Sequence, residues 1–154
     1  MTYDGLVSEL EKEGVEVLEH SFSSRALKGL YVDNVIAINS KAMANESEKA
    51  CILAEEYGHY RTTYGNILDQ KKVSNVKQEK RARNWAYEKL VSIEKLIEAY
   101  EAGVRSCYDL TEFLGVTEDF LHNALNHYAE KFGLYVRREN YVIYFSPLGI
   151  FHGL

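Results

Sequence analysis

Proline is almost missing from this chain, and Pro147 is the only one. With so little proline, and no low-complexity stretch or internal repeat elsewhere, nothing reads as a linker between independent modules. There are only two cysteines, Cys51 and Cys107, far apart and outside any CxxC pattern, which excludes a disulfide-stapled fold. Both are expected to be reduced thiols in the core. Long apolar runs are absent too, since no stretch approaches the roughly 20 residues that cross a bilayer. The start, Met1-Thr2-Tyr3-Asp4-Gly5, has no basic segment leading into an apolar one. The expectation is a cytoplasmic protein with no membrane partner. Positive charge is in deficit: the net charge of −5 argues against sequence-independent nucleic-acid binding, which needs a basic face to displace counterions. A local concentration between Lys71 and Arg83 is the exception.

What is present suits one compact domain, or a domain with a small appendage. The 154 residues are enough to bury about two thirds of the unfolded surface without a staple. Tyrosine is abundant, and its 12 copies outnumber the 6 phenylalanines and 1 tryptophan together. An apolar body with a polar tip suits both core rims and cleft walls, and rim filling is the simpler reading.

Leu6, Val7 and Leu10 recur at helical spacing between charges, predicting a first helix from Tyr3 to Lys12, stopped at Gly14. Val15 to Leu18 alternates as a strand. Leu27 to Val32 and Val35 to Ile38 form a hairpin around the turn signal Asp33-Asn34. Asn45 then caps a long helix running to about Thr62, with Glu46 and Glu48 where the helix dipole favours acids. A loop from Tyr64 to about Ser74 leads to a second long helix, from Lys77 to Leu90 or Ser92, and a further helix covers Ile93 to Glu101. After Gly103, a short helix, Gly115 and a helix capped by Thr117 trace a helix-turn-helix outline. Its second helix carries Glu118, Asp119 and Glu130, so it lacks the basic face of a DNA reader. Leu134 to Arg137 and Tyr141 to Phe145 form a last hairpin, with Pro147 marking the end of ordered strand. The fold class is α+β: a small, mostly antiparallel sheet packed on the long helix capped by Asn45, with a helical C-terminal part. The division falls at 1–103 for the core and 104–154 for the C-terminal part with its hairpin.

The chemistry concentrates in Glu55-Glu56-Tyr57-Gly58-His59. Residues four apart on a helix differ by about 40° in azimuth and about 6 Å in height, so Glu55 and His59 share a face. A carboxylate and an imidazole at that spacing can reach one divalent ion. Glu56, about 100° round the helix, can flank that ion and accept a proton from an attacking water. The bland reading is an acidic surface helix with a satisfied interior histidine. Cys51 lies one turn before Glu55 and is read as core in Cys51-Ile52-Leu53-Ala54, not as a soft ligand. His122 and His127, five apart, share no face and read as surface or packing residues. His20 and His152 have no partner by spacing, and Trp85 and Tyr87 read as core. The basic run Lys71-Lys72, Lys77, Lys80-Arg81 and Arg83 reads as a solvated helix face, with a docking surface for an acidic partner as the sharper alternative.

Leu53 to Tyr60, followed by Arg61-Thr62-Thr63 and Gly65, resembles the motif helix of ImmA/IrrE family metallopeptidases, which usually show His-Glu-x-Gly-His. Glu79-Lys80-Arg81-Ala82-Arg83-Asn84-Trp85-Ala86 is similar to the family's second block, an acid before an Ala-x-x-aromatic-Ala helix. The resemblance is strongest from Leu53 to Ala86. It implies a divalent metal held by Glu55, His59 and Glu79, with Glu56 as the catalytic base. The chain departs from the pattern at Glu55, where a carboxylate replaces the usual histidine. That adds negative charge and shifts preference toward harder ions; zinc is the first expectation and manganese the second. The resemblance further implies a peptidase of prophage or mobile-element origin that cleaves a partner repressor, often a helix-turn-helix protein. The expected substrate position is extended along an edge strand, Val35 to Ile38. The alternative is a non-catalytic interaction module of the same fold that binds a repressor or other regulator.

Overall fold

The computed structural model describes residues 1–63 and 72–153. Thr2 opens the first helix, α1 (Tyr3–Lys12), by accepting a hydrogen bond from the Gly5 amide at 3.1 Å. Leu6 and Leu10 point inward, and Gly14, at φ +86°, turns the chain into β1 (Glu16–His20). The hairpin of β2 (Gly29–Val32) and β3 (Val35–Asn39) closes on Asp33 and Asn34, both at positive φ, as a two-residue turn of this twist requires.

The order of these strands corrects one expectation. β3 pairs in parallel with β1 and antiparallel with β2, so the sheet runs β1-β3-β2 and Val35 to Ile38 lies at its centre. A central strand has both its edges paired and offers no free backbone to a substrate. Burial agrees, since Ile36, Ile38 and Asn39 are fully enclosed. The exposed edge next to the hairpin is β2.

Asn45 caps α2 (Glu46–Thr62), accepting from the Glu48 amide at 2.9 Å. Its inner face buries Ala50, Cys51, Leu53, Ala54, Tyr57 and Gly58 against α1, the sheet and α3. Helix α3 (Lys72–Leu90) begins earlier than the expected Lys77, and the rest of the expected loop, 64–71, lies outside the described residues. Ser92 then caps α4 (Ile93–Glu101).

Ser106 caps α5 (Cys107–Leu114), Gly115 ends it in the left-handed region at φ +69°, and Thr117 caps α6 (Glu118–Phe132). Cys107 is exposed in the first turn of α5, so only Cys51 is the core thiol expected. The chain does not lose strand structure at Pro147. A second sheet joins β4 (Tyr135–Arg138), β5 (Tyr141–Phe145) and β6 (Leu148–His152), all antiparallel, with Pro147 in the turn before β6. A proline between strands gives up no ladder hydrogen bond, so pairing resumes directly after it. Ile143 and Phe145 are buried, and Phe145 stacks on Tyr128 of α6 with ring centres 5.4 Å apart. Among the described residues three of the four strand pairings are antiparallel, and the architecture is α+β. Among the described residues no helix is long and apolar enough to cross a membrane.

Candidate metal centre

The site is built where α2 and α3 cross. A Cβ placed on Gly58 would lie 2.2 Å from the Ala82 carbonyl oxygen, far inside van der Waals contact. Only a residue without a side chain lets the two backbones meet here. The crossing is clamped by Trp85, whose ring centre lies 4.6 Å from that of Tyr57. It is anchored to α1 by Glu13, which accepts from the Tyr57 hydroxyl and from Arg61.

This close approach brings Glu79, three residues before Ala82, against His59, one residue after Gly58. Their Nε2 and Oε1 atoms are 3.2 Å apart. His59 is buried, and its Nδ1 has no hydrogen-bond partner among the described residues. Two donors each about 2.1 Å from a tetrahedral ion would stand about 3.4 Å apart, close to the observed separation.

Glu55 and Glu56 complete the acidic cluster. Burial is the main force raising the Glu55 pKa; Arg83 and Lys28 oppose it, and Glu79 adds to it. Burial likewise raises Glu56, helped by the charges of Glu55 and Glu79, to about 8. Three carboxyls thus share one field, which a divalent cation would relieve. The chemistry of the donors suits such an ion. Among the described residues, however, no three His, Cys, Asp or Glu side chains form a ready-made metal cluster. His59 and Glu79 are brought together, while Glu55 is coupled to Glu79 through charge.

Glu56 also lies against the sheet. A Cβ on Gly29 would lie 3.0 Å from its Cγ and 3.1 Å from its Oε1. Gly29 opens edge strand β2, so the side chain expected as base sits beside a backbone edge that no described strand pairs. Gly29 carries no signal in the sequence beyond its place within the segment Leu27 to Val32, whereas Arg83 shows there as the last charge of the basic run, with a docking surface for an acidic partner as the sharper alternative.

The other expected bystanders fall into place. Cys51 is buried, and burial pushes its thiol up to about 12, as fits packing and not a thiolate ligand. His127 is bound to Glu88 at 2.8 Å, His20 packs near Phe22, and His152 packs on Tyr141. Tyr87 is buried and Trp85 is packed against the core.

The crossing at Gly58 thus sets an acid-rich helix carrying His59 against a second helix with a further carboxylate, Glu79. The family model of the IrrE N-terminal-like domain, a peptidase family, matches residues 10–126, and the chain belongs to that family. No curated protein and no solved structure matches it. Membership supports a metallopeptidase-type function and implies a divalent metal.

Proposed function

We propose that this chain is a cytoplasmic metal-dependent peptidase that cleaves a partner regulatory protein, a helix-turn-helix repressor of a phage or mobile element. The observation that carries the reading is the 3.2 Å approach of His59 and Glu79 across the Gly58–Ala82 crossing, next to Glu55 and Glu56. Glu55, His59 and Glu79 would hold the ion, zinc first and manganese second. When bound, it supplies Lewis acidity to a peptide carbonyl and positive charge that favours ionised carboxylates. Glu56 acts as general base, taking at its carboxylate the proton of the attacking water and later passing it to the leaving amine. The substrate adds to edge strand β2, where Gly29 leaves the backbone open beside Glu56. The choice of a repressor as substrate rests on family analogy and on no residue of this chain.

A second reading is a non-catalytic module that binds the regulator in the same cleft. It is favoured by the lack of a ready-made three-ligand cluster among the described residues. One experiment separates the two. The protein, loaded with zinc or manganese and assayed for metal content, is incubated with a candidate repressor and compared with Glu56→Gln. Cleavage lost in the variant supports the peptidase. Cleavage that persists overturns the role of Glu56, and binding without metal or cleavage favours the module.

A further inference from the structure

A groove of about 560 Å³ opens between α3 and α6 and has Glu79 among its walls. It shares one wall residue with the candidate centre, because the same Glu79 touches His59. One wall belongs to the motif-helix half of the molecule, the other to the C-terminal half, and the reading above gives neither wall a task.

The charged side chains of the groove are two carboxylates, Glu79 and Glu130, and two cations, Lys80 and Arg83, and three of these four are engaged. Lys80 reaches across to Glu130 at 3.2 Å, and His127 is taken by Glu88. Glu79 is engaged with His59. Arg83, one turn beyond Glu79 on the same helix, is exposed and makes no ion pair or hydrogen bond with any described residue. Its charge is felt by Glu55, yet no direct pair forms, so its guanidinium donors stay available. Around it stand three carboxamides, Asn84, Asn123 and Asn126, whose side chains likewise have no hydrogen-bond partner among the described residues. Each carries a donor pair and an acceptor, the set that a polypeptide backbone needs when it lies in a cleft. A planar guanidinium with a free fork matches a carboxylate in two parallel hydrogen bonds.

We infer that the groove between α3 and α6 is a recognition subsite of the same centre, taking an acidic stretch of a polypeptide partner with Arg83 as its charged anchor and the three asparagines along its backbone. The inference rests on the proposed function only in requiring that a polypeptide be bound at the centre. It gives the C-terminal half a role in selecting that polypeptide, and it makes Arg83 a specificity-determining residue.

The test uses the full chain carrying Glu56→Gln, so that captured peptides are not consumed, and a displayed library of random dodecapeptides as the probe. Selected peptides should be enriched in Asp or Glu. Substituting Arg83→Glu should reverse the enrichment toward Lys or Arg and weaken the originally selected acidic peptides by roughly tenfold or more, in line with loss of a charge-assisted pair. Arg83→Lys should keep the acidic preference at reduced affinity, since the charge remains and the fork is lost. Arg83 is exposed, and circular dichroism of each variant confirms that it folds. Capture of no peptides, selection without acidic bias, or a bias unchanged by Arg83→Glu overturns the inference. Cleavage of the selected peptides by the unmutated, metal-loaded protein is read separately. Arg83-dependent binding without cleavage sinks the peptidase and leaves the subsite standing; cleavage indifferent to Arg83 does the reverse.

Discussion

Replacing Gly58 by alanine is the sharpest perturbation of the crossing on which the site depends. On helix propensity alone, alanine at an interior helical position should stabilise the protein by about 1 kcal/mol. The packing predicts the opposite sign. The added methyl would stand 2.2 Å from the Ala82 oxygen, 2.9 Å from its carbonyl carbon and 3.1 Å from its Cα. All three are backbone atoms, so no rotamer change relieves the clash; α3 must retreat by about 1 Å. Overpacking in a well-filled interior costs about 1–3 kcal/mol, and a rigid backbone partner places this case at the upper end. Net of the propensity gain, Gly58→Ala should lose about 2 kcal/mol, which for a domain of this size lowers the Tm by about 4–8 °C. Urea and thermal unfolding followed by circular dichroism would measure it. Because the clash is with backbone, adding Ala82→Gly should not rescue the variant. A Gly58→Ala protein as stable as the parent, or more so, would refute the backbone contact and with it the route by which Glu79 reaches His59.

Two further outcomes follow from the same packing. Burial first, then Glu55 and Glu79, holds the Glu56 pKa at about 8 against an ordinary 4.5. A group raised in the folded state stabilises fully below its unfolded pKa and loses that contribution as pH rises through the folded one. In protein stripped of metal by a chelator, stability should therefore decline from about pH 4.5 to about pH 8, and Glu56→Gln should flatten the decline. At about 1.4 kcal/mol per unit the two curves should part by several kcal/mol, and coincident urea midpoints at pH 5 and pH 8 would count against a buried Glu56. Gly29→Ala places a methyl 3.0 Å from Glu56 Cγ and from Ile52 Cγ2. Both are side-chain atoms that can give way, so stability should fall by no more than about 1 kcal/mol. Displacing the base should instead cut cleavage by roughly tenfold or more in kcat; unchanged turnover would remove Glu56 from the edge of β2.

Local signals in the sequence were read correctly where the physics is local. The Asn45 cap, the face shared by Glu55 and His59, and the Gly115-Thr117 junction depend on neighbours within a turn or two. What went astray depends on partners far along the chain. The position of β3 between β1 and β2 is a pairing choice across about twenty residues, and an alternating apolar segment looks alike at the centre and at the edge of a sheet. The strand after Pro147 was missed because proline forbids a ladder hydrogen bond only at its own position. Arg83 reads as one charge in a basic run until the fold shows that Lys80 has a partner in Glu130 and Arg83 has none among the described residues.

The carboxylate at position 55 ties these observations together. A histidine there would leave Glu56 and Glu79 as the acids of the centre. With Glu55 present, a third negative charge falls on a partly buried cluster, and a folded protein lowers that cost by binding protons or cations. Protons account for the raised Glu56; at Glu55, Arg83 and Lys28 supply partial compensation from the side. Lys28, however, is already paired with Glu48. Arg83 is thus the cation whose removal should be felt both by an acidic ligand in the groove and by Glu55 at the centre.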